Sequence, residues 1–92
     1  MLTSIAKRTI IVTGGSKGIG LGIAKVFARQ GANVCIVSRN EKQAQDCAQT
    51  LGGNAIGIAA DISNFDDCLA MVEQASSRFG QLDFLCANAG IF

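Results

Sequence analysis

The sequence predicts an α/β fold in which strands and helices alternate to build a doubly wound parallel sheet. Two observations lead to this prediction. Four short apolar runs, each nearly continuous in its hydrophobicity, indicate strands that are covered on both faces. Three segments with apolar residues three and four positions apart separate these runs, and such alternation is typical of right-handed crossovers between parallel strands. We therefore expect the element order βαβαβαβ.

The predicted strands are short, and each predicted helix has one apolar face. The strands cover residues 9–12, 34–37, 55–59 and 82–87. Side chains three and four positions apart share one side of a helix, so each face is expected to pack against the sheet. The first face contains Ile19, Ile23, Val26 and Phe27, the second Ala44, Cys47, Ala48 and Leu51, and the third Phe65, Cys68, Leu69, Val72, Ala75 and Phe79.

Polar residues and glycines mark the ends of the predicted helices. Asn40 and Ser63 precede the second and third helices as N-caps would, and Asn40 with Gln43 approximates a capping box. Three glycines follow the periodic segments as C-terminal caps would, namely Gly31, Gly52 and Gly80. These signals predict short links between the elements.

Composition limits the size of the protein and the class of its partners. The chain has 92 residues, of which 49% are hydrophobic and 16% charged, so it suits one domain with a core. Eight basic and seven acidic residues leave a net charge of +1. So small a charge argues against nucleic acid or an anionic membrane as the partner and favours a small molecule.

The absence of certain segments and residue types predicts where the protein is located in the cell and whether its cysteines are reduced. No run has the length of the apolar part of a signal peptide or of a membrane span, so we expect a cytoplasmic protein. The cysteines lie far apart in a chain without histidine, so no metal site is predicted and the thiols are expected to be reduced and structural. They are Cys35, Cys47, Cys68 and Cys86.

A glycine-rich turn follows the first strand, with the sequence Thr13-Gly14-Gly15-Ser16-Lys17-Gly18-Ile19-Gly20. Glycines at such a turn let the backbone approach a ligand, and the helix N-terminus offers unpaired N–H groups to a pyrophosphate. The turn is not a P-loop, because Lys17 precedes Gly18 where that motif needs Gly-Lys-Ser or Gly-Lys-Thr. A strand before the turn and a helix after it are the context of a Rossmann dinucleotide site.

Three motifs follow the first, third and fourth strands, and they are Thr13-Gly14-x-x-x-Gly18-Ile19-Gly20, Asp61-Ile62 and Asn88-Ala89-Gly90. Together they resemble the cofactor-binding half of the short-chain dehydrogenase/reductase family, with general similarity to its 3-oxoacyl-acyl-carrier-protein reductase and hydroxysteroid branches. The resemblance implies that Thr13 ties the glycine turn to the neighbouring strand and that Ile19 and the glycines line the pyrophosphate. It further implies that Asp61 and Ile62 meet the adenine ring and that residues 88–90 contact the adenosine ribose. Ala87 departs from the family's frequent Asn-Asn-Ala-Gly, which puts one hydrogen bond that braces the strand in question.

The end of the second strand predicts NADP(H) as the cofactor, with NAD(H) as the alternative. Ser38 stands where NAD-binding folds have a carboxylate for the ribose 2′-hydroxyl, and the Arg39 guanidinium can hold a 2′-phosphate. Lys17 resembles the second basic position of NADP-preferring members, whereas Arg39 can also be read as an ordinary surface arginine. The predicted cofactor-binding residues are Gly14, Ser16, Lys17, Gly18, Ile19, Gly20, Ser38, Arg39, Asn40, Asp61, Ile62, Asn88, Ala89 and Gly90.

No catalytic residue is predicted in the chain. Carbonyl reduction by hydride transfer needs a proton donor, and the sequence has neither His nor Tyr. The family uses a Ser and a Tyr-x-x-x-Lys pair located after the Asn-Ala-Gly motif, beyond Phe92. We therefore interpret residues 1–92 as an incomplete NAD(P)-binding domain of an oxidoreductase that interconverts ketones and secondary alcohols.

Two other functions remain open from the sequence. One is a non-catalytic module that binds or senses a dinucleotide. The other is a methyltransferase-like fold, which is disfavoured because its cofactor brings no pyrophosphate for the glycine turn. For the complete enzyme, the resemblance implies a small carbonyl or alcohol substrate and a homodimer or homotetramer. The fourth strand is expected at an open edge with an apolar face, so residues 1–92 alone should be marginally stable or prone to aggregation.

Overall fold

The chain folds into a four-stranded parallel sheet with helices on both faces. The computed structural model describes residues 6–14 and 18–87. The elements in order are β1 (Thr9–Thr13), α1 (Gly18–Arg29), β2 (Asn33–Ser38), α2 (Glu41–Leu51), β3 (Ile56–Ala59), α3 (Phe65–Phe79) and β4 (Phe84–Ala87). All pairs are parallel and the strand order is β3-β2-β1-β4. The predicted fold class and element order are confirmed.

Two hydrophobic layers cover the sheet, one on each face. Because successive side chains of a strand point to opposite faces, Ile10 and Val12 join the layer under α1 and α2, while Ile11 joins the layer under α3. Both layers continue into β2, where Val34 and Cys35 are completely buried. This burial on both faces is the reason for the continuous apolar runs of the central strands.

Helix α1 packs against the sheet through Gly20 and Ala24, with Ile23 and Phe27 partly buried against the same core, which corrects the predicted face in part. Gly20 and Ala24 are its buried residues, and they let the helix approach the strands closely. Ile19 and Val26 were expected in the core but are 73% and 57% exposed. They lie on the flank of the helix, since neighbouring positions are turned by about 100° from each other.

Helix α3 is also rotated relative to its predicted face. Met71 and Ala75 are buried in the core, and Met71 was not among the expected residues. Phe65 and Leu69 are 75% and 49% exposed, so they do not pack against the sheet as predicted. The apolar stripe of α3 is wider than its contact with the sheet, and only part of the stripe is covered.

The cap predicted before α2 is confirmed and the cap predicted before α3 is one residue off. Asn40 Oδ1 accepts a hydrogen bond of 2.9 Å from Gln43 N. The N-cap of α3 is Asn64, whose Oδ1 accepts from Asp67 N at 3.0 Å. Ser63 lies one residue before this cap, and its hydroxyl donates to Asp61 at 2.7 Å. Gly31, Gly52 and Gly80 all have the positive φ expected of glycines that end helices.

Gly57 in β3 allows α2 to lie directly on the sheet. A Cβ atom at this position would stand 2.4 Å from the carbonyl carbon of Ala44. That distance is far below van der Waals contact, so the residue has to be glycine unless α2 moves away.

Within the described part of the chain, the outer strand β4 pairs with β1 alone, and it exposes apolar side chains on both faces. Phe84, on the face of α1, makes an edge-to-face contact with Phe27 and is 39% exposed. Leu85, on the face of α3, is 56% exposed. The predicted edge position of the fourth strand is therefore confirmed. Within residues 6–14 and 18–87, no helix has both the length and the hydropathy to span a membrane.

Candidate functional site

The carboxyl ends of the strands meet at one edge of the sheet. Thr13 is paired with Val37 on one side and with Ala87 on the other, and Ser38 is paired with Ala59. The chain leaves β1 toward β2 and β3 on one side and returns to β4 on the other, so the strand order reverses beside β1. Ligands of open α/β sheets bind at such a switch point.

The start of the glycine turn is attached to both neighbouring strands. Gly14 has a φ of 68° and its N–H donates to Val37 O at 2.9 Å. The Thr13 hydroxyl donates to Cys86 O in β4 at 3.3 Å, which agrees with the bracing role implied for Thr13. A left-handed φ is unfavourable for residues with a side chain, so Gly14 is suited to this position. The turn therefore begins directly beside the end of β2.

Nothing among the described residues crowds Gly18 at the N-terminus of α1. Gly18 has a φ of 65°, and a Cβ atom placed on it would meet nothing within 4 Å. No acidic residue lies in the first turn to offset the positive end of the helix dipole. Ile19 is exposed beside Gly18, and Gly20 is buried against the sheet. These residues fit an anionic group such as a pyrophosphate, because backbone N–H groups and space are available together.

Five predicted site residues lie outside the described residues. They are Ser16, Lys17, Asn88, Ala89 and Gly90. Their roles stay predictions from the sequence and from the family resemblance.

Three residues at the end of β2 form a closed ring of hydrogen bonds, which we call the 38–43 ring. The Ser38 hydroxyl donates to Gln43 Oε1 at 3.2 Å and accepts from Asn40 N at 3.2 Å. Gln43 N closes the ring by donating to Asn40 Oδ1. Gln43 was expected to bond back to Asn40 N in a capping box, but the Ser38 hydroxyl lies between them. The predicted capping box is therefore confirmed in its bond from Gln43 N to Asn40 and wrong in its return bond, because Asn40 N donates to Ser38.

Arg39 extends from the 38–43 ring into solvent and faces Asp61. The Arg39 Nε atom is 4.0 Å from Asp61 Oδ1, and 82% of the Arg39 side chain is exposed against 46% of that of Asp61. An exposed pair at this distance contributes little to stability. The guanidinium thus lies near the end of β3, and its N–H donors remain available for a ligand.

Asp61 is fixed by the turn that follows β3. Ser63 donates to Asp61 Oδ1 twice, from its hydroxyl at 2.7 Å and from its N–H at 3.0 Å. The hydroxyl bond is the main cause that lowers the pKa of Asp61 below its ordinary value, followed by the N–H bond and then by the charge of Arg39. Asp61 N donates to Asp67 Oδ2 at 2.8 Å, which ties the residue to α3. Asp61 is thus an oriented anion at the edge of the site.

Ile62 lies half-buried between the site and the core. Its side chain packs against the core layer under α3, and its carbonyl accepts from the Cys68 thiol at 3.3 Å. The predicted adenine contact of Ile62 stays a prediction. Cys35, in the centre of the sheet, is far more enclosed, and burial raises the pKa of its thiol to about 12. Among the residues that the structure describes, no group of three His, Cys, Asp or Glu side chains could hold a metal ion.

Comparison with known proteins gives consistent results for sequence and structure. Residues 8–92 match the family described as short chain dehydrogenase. The chain is 38% identical to 11-beta-hydroxysteroid dehydrogenase-like 3 of Arabidopsis thaliana, over 97% of this chain and 30% of that protein. It is 41% identical to 3-oxoacyl-[acyl-carrier-protein] reductase FabG of Chlamydia muridarum, over 99% of this chain and 38% of that protein.

Solved structures share the same fold at similar identity. A 3-ketoacyl-(acyl-carrier-protein) reductase from Brucella melitensis, crystallised with NADH, has a TM-score of 0.84 at 43% identity, over 89% of this chain and 34% of that chain. A short chain dehydrogenase from Bacillus anthracis has a TM-score of 0.87 at 33% identity, over 95% of this chain and 36% of that chain. The chain thus spans about a third of the length of the relatives it matches.

Proposed function

The chain belongs to the short chain dehydrogenase family, and from this we propose that it carries the cofactor site of an NADP(H)-dependent oxidoreductase. The proposed reaction interconverts a ketone and a secondary alcohol by hydride transfer. The cofactor preference is supported by the two side chains at the end of β2, Ser38 and Arg39. There a hydroxyl and an exposed guanidinium stand beside the glycine turn, in the place where a carboxylate would select NAD(H).

Each part of the site would hold one part of the dinucleotide. Gly14, Gly18, Ile19 and Gly20 would line the pyrophosphate at the N-terminus of α1, with Ser16 and Lys17 beside them. Ser38, Arg39 and Asn40 would hold the 2′-phosphate. Asp61 and Ile62 would meet the adenine, and Asn88, Ala89 and Gly90 the adenosine ribose. When bound, NADP(H) supplies the hydride that the chain itself cannot supply.

The charges at the site favour a phosphate over a hydroxyl at the ribose 2′ position. Arg39 offers several N–H donors in a planar fork that matches two phosphate oxygens. Its contact with Asp61 is long and exposed, so turning the guanidinium toward a ligand costs little. Asp61 is held by Ser63, so its carboxylate can stay in place when Arg39 turns.

The catalytic residues of the proposed enzyme belong to a further part of the protein. The family resemblance implies a Ser and a Tyr-x-x-x-Lys pair after residue 90, and the relatives are about three times as long as this chain. We propose that this further part covers the apolar residues exposed beside β4, including Phe84 and Leu85. A small carbonyl or alcohol substrate, a homodimer or homotetramer, and a cytoplasmic location complete the proposal.

The preference for NADP(H) is tested by substituting Arg39 in the full-length protein. Arg39→Ala should weaken NADPH binding about 10- to 100-fold, since a hydrogen bond to a charged group contributes roughly 1.5–3 kcal/mol, and should leave NADH binding nearly unchanged. Isothermal titration calorimetry gives both dissociation constants. Arg29→Ala, which removes an exposed arginine at the other end of α1, is the matched control.

Equal losses for NADPH and NADH would reject the NADP(H) preference and favour NAD(H), the reduced form of which is bound in the Brucella melitensis reductase. A second candidate function, a dinucleotide sensor without catalysis, is consistent with the lack of His and Tyr in this sequence. It predicts tight NADPH binding by the full-length protein without NADPH oxidation in the presence of ketone substrates. Turnover of any ketone at the expense of NADPH would exclude the sensor.

A further inference from the structure

We propose that Gln43 is a specificity-determining residue that competes with the ribose 2′-phosphate for the hydroxyl proton of Ser38. The inference rests on the proposed function, because it assigns Gln43 a role at the same NADP(H) site. Gln43 lies on α2, outside the three motifs that carry the family resemblance. It acts through Ser38, so it is a positioning residue that does not itself have to touch the cofactor.

The geometry of the 38–43 ring leaves Ser38 with no unused proton. A serine hydroxyl has one O–H donor and two acceptor lone pairs. Here the proton is donated to Gln43 Oε1 at 3.2 Å, and one lone pair accepts the N–H of Asn40 at 3.2 Å. One acceptor position remains for a ligand.

The two cofactors make different demands on this remaining position. A 2′-phosphate at neutral pH carries only acceptor oxygens, so it can bond to Ser38 only by taking the proton away from Gln43. The 2′-hydroxyl of NAD(H) has its own proton and can donate to the unused lone pair of Ser38. The 38–43 ring as it stands therefore accommodates a 2′-hydroxyl and has to open for a 2′-phosphate.

Several features of the ring make this competition measurable. Gln43 is exposed, and it donates its backbone N–H to the Asn40 cap, so truncating the Gln43 side chain leaves this cap intact. Under the proposed function, Ser38 and Arg39 hold the same 2′-phosphate, so this phosphate needs the hydroxyl proton that Gln43 already accepts. Removing the competing acceptor should therefore favour the phosphate without disturbing the helix.

The experiment compares cofactor binding by single and double variants of the full-length protein. Gln43→Ala should tighten NADPH binding about 2- to 5-fold, because the phosphate no longer has to break the exposed hydrogen bond from Ser38 to Gln43. NADH binding should stay unchanged. In a Ser38→Ala background, Gln43→Ala should change neither dissociation constant, because the contested proton is gone. Gln45→Ala, which truncates an exposed glutamine that bonds to Glu41 on the same helix, is the matched control.

The outcomes separate this inference from the proposed function. Weaker or unchanged NADPH binding by Gln43→Ala, an equal change for NADH, or a change that persists in the Ser38→Ala background would each overturn the role of Gln43. If Arg39→Ala discriminates between the cofactors and Gln43→Ala does not, only the inference fails. If Arg39→Ala weakens both cofactors equally, the NADP(H) preference fails, and the inference fails with it.

Discussion

The two ends of the sheet use hydrogen bonds in opposite ways. At the amino end of the strands, side chains join residues far apart in sequence, such as Thr9 and Asp83, which are 74 positions apart. At the carboxyl ends of β2 and β3, side chains bond to neighbours two to six positions away, as in the 38–43 ring and the Asp61–Ser63 turn. Side-chain bonds at the amino end connect the strands to each other, and those at the carboxyl end stabilise the turns that follow β2 and β3.

Asp83 and Asn33 organise the amino end. Asp83 Oδ2 accepts from Thr9 N at 2.8 Å, and its Oδ1 lies 3.6 Å from Arg8 Nη1. The Asn33 amide donates to Lys7 O at 3.2 Å and to Thr9 Oγ1 at 3.3 Å. These contacts hold β1, β2 and the segment before β4 together where no ligand is expected.

The difference indicates that the candidate site and the side-chain contacts that join the strands are largely separate in this molecule. At the carboxyl end the exposed charges of Arg39 and Asp61 can change partners without loosening the strands, because their turns are held locally. The Thr13 hydroxyl, which bonds to Cys86 O across β1 and β4, is the described exception. Substitutions at the amino end should therefore change stability, and those at the carboxyl end should change binding.

The largest effect on stability should come from Gly57, because its backbone lies directly against that of α2. Gly57→Ala would place a Cβ 2.4 Å from the Ala44 carbonyl carbon. We expect destabilisation by about 3 kcal/mol, since overpacking forces backbone shifts. Urea unfolding of the protein measures the loss.

Gly22 provides the control for Gly57. It lies in α1, and a Cβ there would meet nothing within 4 Å. Gly22→Ala should stabilise the protein by about 0.5–1 kcal/mol through helix propensity. If both variants lose stability equally, the close approach of α2 to Gly57 is not the cause.

Asp83→Ala is expected to have the next largest effect on stability. The buried N–H of Thr9 would lose its acceptor, at a cost of about 2 kcal/mol, because the bond is made to a charged group. Asp83→Asn, which retains an acceptor oxygen, should lose less. The measurement is the urea midpoint at constant slope.

Asp61→Ala, at the carboxyl end of the strands, tests whether contacts at that end contribute less to stability than those of Asp83. This substitution should leave the urea midpoint nearly unchanged at neutral pH, because the Asp61 carboxylate is half-exposed, its hydrogen bonds from Ser63 lie within its own turn and its contact with Arg39 is long. A midpoint shift as large as that of Asp83→Ala would contradict the separation of the two ends.

Asn64→Ala should have a smaller effect, of about 1 kcal/mol, through loss of the N-cap of α3. Ser63→Ala should cost much less, because the Ser63 hydroxyl bonds to Asp61 and does not cap the helix. Thermal unfolding of the two variants distinguishes the cap in the structure from the one that the sequence predicts. A larger loss for Ser63→Ala would restore the sequence prediction.

The sequence predicted the sheet and the position of the glycine turn at the carboxyl end of β1, because both depend on patterns along the chain. Runs buried on both faces identify central strands, and the glycine turn identifies the switch point. The predicted helix faces were wrong at Ile19 and Phe65, because each continues an apolar stripe that is wider than its contact with the sheet. The bond from Ser38 to Gln43 depends on side-chain rotamers, and the approach of Arg39 to Asp61 depends on the register of β2 and β3. Neither quantity is encoded in residue spacing.

The smallest effect that we expect is a change in the pH dependence of stability, caused by Asp61 at the carboxyl end of the strands. Two hydrogen bonds from Ser63 lower the pKa of Asp61, with the hydroxyl bond the stronger cause. Ser63→Ala removes that bond and retains the one from the N–H, so the pKa of Asp61 should rise part of the way to its ordinary value. Ser63→Thr, which restores a hydroxyl, should return it.

The sign of the stability change follows from the direction of this shift. A carboxyl with a depressed pKa in the folded state stabilises the protein above its ordinary pKa, and this contribution is lost as the pH falls through the folded value. Ser63→Ala should therefore be slightly less stable than the parent protein at neutral pH, and the difference should vanish in acid. NMR titration of the Asp61 carboxyl measures the pKa directly. An unchanged pKa in Ser63→Ala would mean that the Ser63 N–H alone orients Asp61, and the hydroxyl would then have no part in shaping this end of the sheet.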